Sequence, residues 1–272
     1  MAAAADRLSQ ALAHWQTWDL PGPLSGAPSI GRQLAKGSGH SVYNILCDPP
    51  LVARIRHQST RTIERPFEKE LTVWSMASEK HLAPGIVYVD ASVEAVICYR
   101  GDSPTALITG EQLGILCRHI HQLPPVSHSL TLRSDIEDYL KMHSPTTKLA
   151  WRFAMTSADV NEALCALEED DPYLCHNDLT AGNLMLCGGD LTAIDWEYAA
   201  MGSRYFDIAI AGAHLPPAEH AKMLQAALGE GADNELMRAG RCIASLVTAL
   251  WQIQFTPDAA PNPDEWLAGI RF

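Results

Sequence analysis

The hydrophobic periodicity of the chain changes near residue 100, and this change limits the folds that it can adopt. Before it, the short runs SVYNILC, LVARIR, IVYV and AVICY have strand character, and one helical stripe near 63–81 lies between them. After it, apolar residues recur every three or four positions, as at Leu113, Leu116 and Ile120. The sequence therefore predicts an α+β protein with a sheet-rich part followed by a mainly helical part.

The tract RGDSPT at residues 100–105 is typical of a connector between two such parts. A chain of 272 residues fits about two domains of ordinary size. We predict an N-terminal domain over 1–99 that includes an amphipathic N-terminal helix, a hinge over 100–105 and a C-terminal domain over 106–272. The segment PGPLSGAPSI at 21–30 predicts a loop.

Charge and cysteine content exclude several classes of function. The 32 acidic and 20 basic residues give a net charge of −12, which argues against a nucleic-acid partner and favours small cationic ligands. Asp6 and Arg7 interrupt the apolar N-terminus before a signal sequence or membrane span can form, so we expect no membrane partner. The seven cysteines show no C-x-x-C spacing, which predicts reduced thiols in a cytoplasmic protein.

The residues that carry chemistry surround a predicted β-hairpin. LMLC and LTAID are short strands joined by Gly-Gly-Asp, a strong turn signal. The preceding loop contains H-x-D-x-x-x-x-N, formed by His176, Asp178 and Asn183, and Asp195 stands at the end of the second strand. Phosphoryl transfer from ATP needs a carboxylate to orient the attacking hydroxyl and oxygen ligands for Mg²⁺. We assign the first role to Asp178 and the second to Asn183 and Asp195.

The motifs HNDLTAGN and IDWEY together resemble the aminoglycoside phosphotransferase and choline kinase superfamily, and most closely its bacterial choline kinase and thiamine kinase-like branch. The resemblance spans essentially the whole chain. It implies a bilobal protein kinase-like fold, with a small antiparallel-sheet N-lobe holding one long helix and a larger helical C-lobe. It also implies ATP and Mg²⁺ as cofactors, a bracing role for His176, and an Asp207 that accepts backbone hydrogen bonds from the catalytic loop.

The turn within KGSGHSVYNI is the expected phosphate-covering segment. Glycines let backbone N–H groups approach phosphate oxygens. The predicted nucleotide contacts in this turn are Gly37, Ser38, Gly39, His40 and Ser41. Related kinases often carry Asn where this chain has His40.

The resemblance also assigns residues on the following strand, helix and hinge. Arg54 aligns with the kinase cation that touches the α and β phosphates, and Arg56 is the competing candidate. The predicted helix partner of Arg54 is Glu70, with Glu68 as the alternative. The run VICYRGD leads into the hinge, and its backbone groups at Cys98 and Tyr99 are expected to contact the edge of the adenine ring.

The acceptor is expected to be a small alcohol with a positive charge. Aromatic faces backed by carboxylates bind such cations, and the candidates are Trp196, Trp251 and Glu197. Choline kinase-like sequences often show Asn-Asp after IDWEY, whereas this chain has MGSR, so thiamine is favoured slightly over choline. The alternatives are an aminoglycoside phosphotransferase and a pseudokinase that binds nucleotide without turnover.

Overall fold

A computed structural model describes residues 2–37, 39–57, 66–141, 143–256 and 260–270. The chain divides into two compact units. Among the described residues, the first unit takes those within 2–57, 66–105 and 185–197, and the second takes those within 106–184 and 198–270. The segment Met185–Glu197 falls inside the predicted range 106–272 but is part of the first unit.

The first unit is built on a five-stranded antiparallel sheet. Its strands are β1 (Ser29–Lys36), β2 (His40–Leu46), β3 (Leu51–Arg56), β4 (Ile86–Asp90) and β5 (Ala95–Tyr99), in the order β1-β2-β3-β5-β4. The sequence predicted β2 to β5. It did not predict β1, and its loop at 21–30 ends where β1 begins. All but one of the β1 side chains are exposed, so the strand has no buried alternation.

Side chains on the two faces of β3 have different surroundings. Leu51, Ala53 and Ile55 join the hydrophobic core, which also contains residues of α1 (Ala2–Ala13). Arg54 and Arg56 alternate with them and therefore lie on the opposite face. The predicted helix of 63–81 is confirmed as α2 (Phe67–Glu79) within the described residues.

The second unit is mainly helical. Its helices are α3 (Gly110–His121), α4 (Leu132–Lys141), α5 (Pro145–Met155), α6 (Ala158–Glu169), α7 (Arg204–Gly212), α8 (Pro217–Leu228), α9 (Asn234–Phe255) and α10 (Pro263–Ile270). Helices α3 and α8 pack very closely because α3 carries glycine at the contact. A Cβ at Gly114 would lie only 2.4 Å from the carbonyl oxygen of Met223. The predicted helical stripe that begins at Leu113 is confirmed by α3.

Four short strands lie just before or after the predicted catalytic residues in the sequence. They are β6 (Tyr173–Cys175), β7 (Leu184–Cys187), β8 (Asp190–Ala193) and β9 (Ala200–Gly202), with β6 paired to β9 and β7 to β8. The hairpin turns through Gly188 and Gly189, whose φ angles are 62° and 96°. Strand β8 ends two residues earlier than predicted, so Asp195 follows the strand instead of ending it.

The α+β class is confirmed by this sheet and the surrounding helices. Among the described helices, none has both the length and the apolar composition needed to cross a bilayer.

Candidate active site

A buried aspartate holds the loop that contains the predicted catalytic residue. Asp207, on α7, is 0% exposed. Its Oδ1 accepts the backbone N–H of Asn177 at 2.6 Å, and its Oδ2 lies 2.8 Å from Nε2 of His121. Burial by itself would raise the pKa of Asp207, but hydrogen bonding and charge from His121, with the N–H of Asn177, lower it below the ordinary value. The carboxylate is therefore ionised and fixes the start of the loop.

The backbone at Asn177 needs this support because it has a φ of 63°, in the left-handed region. The Asn177 side chain donates a second bond, 3.0 Å long, to the carbonyl of Tyr198. His176 is completely buried, and its Nδ1 accepts the N–H of Asp178 at 3.3 Å. The backbone at Asn177 and Asp178 is thus held by hydrogen bonds to side chains.

Asp178 itself is partly exposed and is contacted by Asn183. The Nδ2 of Asn183 donates to the carboxylate Oδ2 of Asp178 at 2.8 Å and to its backbone carbonyl at 2.7 Å. Since the amide nitrogen is used in this way, the amide oxygen of Asn183 is the atom that remains for a cation. This arrangement orients one carboxylate oxygen and one amide oxygen within the same short loop.

In the first unit, a second group of charged side chains surrounds Arg54 on β3. The guanidinium forms an ion pair with Glu70 on α2 and hydrogen-bonds Nε2 of His40 on β2. Its Nη2 also lies 2.6 Å from Oδ1 of Asp195. The indole of Trp74 is 5.5 Å from the guanidinium carbon. Arg54 therefore links three strands or helices to the segment that follows β8.

The charges in this Arg54 cluster are not balanced evenly. Burial favours a lower pKa for Arg54, but the carboxylates of Glu70, Asp195 and Glu197 outweigh it and raise the pKa. Burial, together with repulsion from Asp195 and Glu197, also raises the pKa of Glu70 against the attraction of Arg54. Oε2 of Glu70 is buried and has no hydrogen-bond partner among the described atoms. The cluster thus contains more negative charge than its single arginine neutralises.

His40 adds two further contacts with this cluster. Its Nδ1 is 3.8 Å from Oδ1 of Asp195, and its Nε2 is 3.8 Å from Oε2 of Glu197. The ligand atoms of His40, Glu70 and Asp195 lie within 4.8 Å of one another, as in a metal site. The guanidinium of Arg54 bonds all three, however, so a positive charge already occupies the space between them.

The residues that were predicted as alternatives lie elsewhere. Arg56 is buried, with Nη1 at 3.7 Å from the carboxylate of Glu94. Glu68 is exposed at the start of α2. Within the first unit, therefore, the structure pairs Arg54 with Glu70, while Arg56 and Glu68 have other environments.

The predicted phosphate-covering turn connects β1 and β2. The N–H of Gly37 donates to the carbonyl of His40 at 2.9 Å, and the carbonyl of Gly39 accepts the N–H of His57 at 2.7 Å. Ser41 is buried, and its Oγ lies 2.9 Å from Nε2 of His57. Ser38 lies outside the described residues. The contact of this turn with phosphate stays a prediction.

The predicted adenine contacts lie on a central strand. Cys98 pairs with β3 on one side and β4 on the other, and burial raises the pKa of its thiol to about 12. The N–H of Tyr99 donates to the carbonyl of Gly85 at 3.0 Å. This N–H is therefore already used within the first unit, and an adenine contact at this position would need another backbone atom.

Two predicted substrate aromatics have very different exposures. Trp196 is 0% exposed, and its Nε1 donates to the carbonyl of Ala193 at 3.1 Å. It has no exposed ring face for a substrate, so its described role is in the core. Trp251 on α9 is 43% exposed and lies beside Phe255, with ring centroids 4.9 Å apart. Glu197 has a largely buried side chain near His40.

Sequence reasoning missed two features of the site. The pairing of His121 with the carboxylate of Asp207 was not identified from the sequence. His40 was placed in the phosphate turn, whereas its side chain contacts Arg54 and the acids. Both contacts join residues far apart in sequence, and the local pattern gives no sign of either.

Asn183 in the second unit and Asp195 in the first each offer an oxygen of the kind that magnesium prefers. Mg²⁺ prefers hard oxygen ligands, often a small number of carboxylates with substrate phosphates. Nδ2 of Asn183 bonds Asp178, so its amide oxygen is the atom that would bind magnesium. The carboxylate of Asp195 is about one-third exposed, and its backbone has a φ of 67°, an uncommon conformation that often marks functional residues.

Two solved structures with a similar fold are a choline/ethanolamine kinase family protein and a choline kinase. A choline/ethanolamine kinase family protein from Mesorhizobium loti is 19% identical, covers 99% of this chain and 92% of its own, and has a TM-score of 0.67. The choline kinase LicA from Streptococcus pneumoniae is 12% identical, with coverages of 98% and 99% and a TM-score of 0.69. The chain therefore has the protein kinase-like fold that was expected.

A third similar structure contains a nucleotide analogue. A thermostable mutant of the aminoglycoside phosphotransferase APH(4)-Ia, in a ternary complex with AMP-PNP and hygromycin B, is 14% identical, with coverages of 92% and 94% and a TM-score of 0.61. No curated protein sequence matches the chain significantly.

The family model described as the phosphotransferase enzyme family matches residues 32–241. This range contains the Arg54 cluster, the loop of Asp178 and Asn183, and the buried Asp207 that holds that loop. The match extends over more than half of the chain, and it agrees with the superfamily that the motifs resemble. The chain belongs to the phosphotransferase enzyme family.

Proposed function

We propose that the protein is an ATP- and Mg²⁺-dependent kinase that phosphorylates a hydroxyl group of a small cationic metabolite. The observation that carries this proposal is the pairing of Asp178 with Asn183 in a loop fixed by Asp207. A carboxylate that is partly exposed and held in one orientation suits the acceptance of a proton from an alcohol. The proposed acceptors are thiamine and choline.

Each residue has a role in this proposal. Asp178 orients the acceptor hydroxyl and accepts its proton as the oxygen attacks phosphorus. Arg54 binds the α and β phosphates, and Glu70 holds its guanidinium. Asn183 and Asp195 supply oxygen ligands for magnesium. When bound, Mg²⁺ neutralises the negative charge of the phosphate groups.

Binding of nucleotide has a direct consequence for Arg54. Its guanidinium already bonds Glu70, Asp195 and His40. In our proposal, Arg54 would bind the phosphates of ATP and Asp195 would hold magnesium, which would supply positive charge to those phosphates. The surplus of carboxylates around Arg54 supports binding of a divalent cation in this region.

The test is ADP release from ATP with thiamine, choline, ethanolamine and an aminoglycoside as separate acceptors. We expect turnover with thiamine or choline, and loss of turnover on chelation of magnesium. Selective turnover of the aminoglycoside would instead support the second candidate, for which the net charge of −12 is also suitable. ATP binding without turnover of any acceptor would support a pseudokinase.

The Asp178→Asn variant tests the catalytic assignment. We expect kcat to fall by about 10³-fold or more, within or above the usual contribution of a general base, with little change in the Kd for ATP. Asp171→Asn, at an exposed acid just before β6, is the matched control and should retain full activity. A variant at Asp178 that turns over as fast as the wild type would remove this residue from its proposed role.

A further inference from the structure

A groove in the second unit lies between α4, α5 and α6 and has a volume of about 570 Å³. Its lining residues come from 133–164 and include neither the catalytic loop nor the His121–Asp207 pair. This volume is within the range of small-molecule binding sites in proteins, roughly 300–1,000 Å³. The groove is therefore large enough for a ligand of its own.

The groove has an apolar floor and an exposed apolar edge. Ile136, Val160 and Leu164 form part of the lining and are buried, so they lie at its base. Leu149 also lines the groove but is 73% exposed. Phe153, on the same helix, is similarly exposed at 71% but does not line it. Apolar side chains at both depths suit an aliphatic or aromatic part of a ligand.

The charged residues that line the groove are mostly basic. Four are cationic, and Glu137 is the one acid in the described lining; the cations are Arg133, Lys141, Lys148 and Arg152. Such a concentration of positive charge is unusual in a chain with a net charge of −12. Cations without a carboxylate partner in such a groove attract anions locally, although the whole protein is acidic.

Two of these four cations already have carboxylate partners. Arg133 pairs with Glu168 at 3.0 Å, and Lys141 pairs with Asp138 at 2.7 Å. In the part of the chain that the structure describes, no carboxylate lies within 4.0 Å of Lys148 or Arg152. These two residues are four positions apart on α5 and therefore share one face of the helix. They form a pair of donors for an anionic group.

We propose that this groove binds a small amphiphile, with an apolar part against Ile136, Val160 and Leu164 and an anionic head group between Lys148 and Arg152. The shared chemistry of the head group is that of a phosphate or a carboxylate. A single small molecule fits better than a bilayer surface, because the apolar floor is buried within a concave groove and a flat membrane cannot reach it. This proposal is independent of the proposed kinase activity.

Titration calorimetry with three eight-carbon probes tests the ligand class. We expect octyl phosphate and octanoate to bind and octanol to bind at least tenfold more weakly, because only the first two carry a head group for the cations. Octyl phosphate should bind the tighter of the two, since a phosphate carries up to about two charges. Equal affinity for octanol and the two anions would overturn the charge assignment.

Paired variants locate the binding site. Lys148→Gln with Arg152→Gln should weaken octyl phosphate about tenfold, which corresponds to about 1.4 kcal/mol. The control removes the same charges from exposed positions elsewhere, as Lys69→Gln with Arg118→Gln, and should change the affinity less than twofold. A loss of the same size in both double variants would show that net charge, and not this groove, determines binding.

The apolar contact has its own matched pair. Leu149→Ser should weaken octyl phosphate several-fold, whereas Phe153→Ser should leave its affinity unchanged, although both remove an equally exposed apolar side chain. Co-sedimentation with vesicles containing phosphatidylserine tests the alternative partner. Sedimentation that is lost in Phe153→Ser as well as in Leu149→Ser would overturn the small-molecule proposal in favour of a membrane surface.

Discussion

The Arg54 cluster and the Asp207 centre, which is Asp207 with His121 and the N–H of Asn177, both bury a charged side chain. They neutralise its charge differently. Asp207 receives two hydrogen bonds, from the N–H of Asn177 and from His121, and its pKa is lowered. Glu70 shares one arginine with two other acids, keeps one oxygen without a partner, and its pKa is raised. The Asp207 centre therefore fixes a loop, whereas the Arg54 cluster retains unbalanced charge, which is typical of a ligand site.

The largest effect on stability should come from removing Asp207. Asp207→Ala leaves the N–H of Asn177 and the buried His121 without their partner, and we expect the free energy of unfolding to fall by about 3 kcal/mol or more. Asp207→Asn should be milder because its amide can still accept one bond and donate another. Urea denaturation measures both. Asp138→Asn, which breaks an exposed pair with Lys141, should change stability little. A loss as large as that of Asp207→Ala would show that the burial of Asp207 does not set the size of its effect.

Removal of Arg54 should have the next largest effect, and it should be reversible by a second change. Arg54→Met leaves Glu70 buried without its cation, and we expect a loss of about 2–3 kcal/mol in unfolding free energy. Adding Glu70→Met should recover most of this loss, because two apolar side chains replace both charges. A double variant no more stable than the Arg54→Met single variant would show that the loss in Arg54→Met does not come from leaving Glu70 buried without a cation.

The two centres should also respond to pH with opposite signs. The folded pKa of Asp207 is below its ordinary value of 3.8, so its stabilisation is present above pH 3.8 and is lost as the pH falls through the folded value. The folded pKa of Glu70 is above 4.5, so its contribution is present below pH 4.5 and is lost as the pH rises through the folded value. Each unit of pKa difference corresponds to about 1.4 kcal/mol.

Denaturation of two variants from pH 3 to pH 7 checks these signs. Relative to the wild type, Asp207→Asn should lose more stability at pH 7 than at pH 3. Glu70→Gln should instead become more favourable relative to the wild type as the pH rises. Glu68→Gln, an exposed residue on the same helix, is the control. If the stability of both variants relative to the wild type changed with pH in the same direction, the pKa values of Asp207 and Glu70 would not be shifted in opposite directions.

The sequence predicted those parts of the fold that have a buried local pattern. Strands β2 to β5 and helices α2 and α3 each bury side chains from apolar runs or stripes, and the hairpin between β7 and β8 has Gly-Gly-Asp at its turn. Strand β1 was missed because it is mostly exposed and forms through its pairing with β2, which residue type does not reveal. Local periodicity therefore predicts buried elements better than exposed ones.

The candidate site shows the same limit. Asp178 and Asn183 were predicted as site residues from their spacing within one loop, and the structure brings these two side chains into contact. The pairing of His121 with Asp207 crosses 86 positions, and the burial of Trp196 depends on residues packed around it, so neither could be predicted from local sequence. The choice of Glu70 over Glu68 came from family spacing, and in the structure Glu70 is the buried one that contacts Arg54.

The smallest predicted effect concerns Asn177, where the Asp207 centre meets unfavourable backbone geometry. Asn177→Gly loses the side-chain bond to Tyr198, but it relaxes a φ of 63° and removes a buried Oδ1 that lacks a partner. These effects oppose each other, so we expect a change of only about 0.5 kcal/mol in unfolding free energy. Asn177→Ala loses the same bond without the freedom of glycine, and should be about 1 kcal/mol less stable than Asn177→Gly. Equal stabilities for the two variants would show that Asp207 holds the loop without opposing any backbone strain.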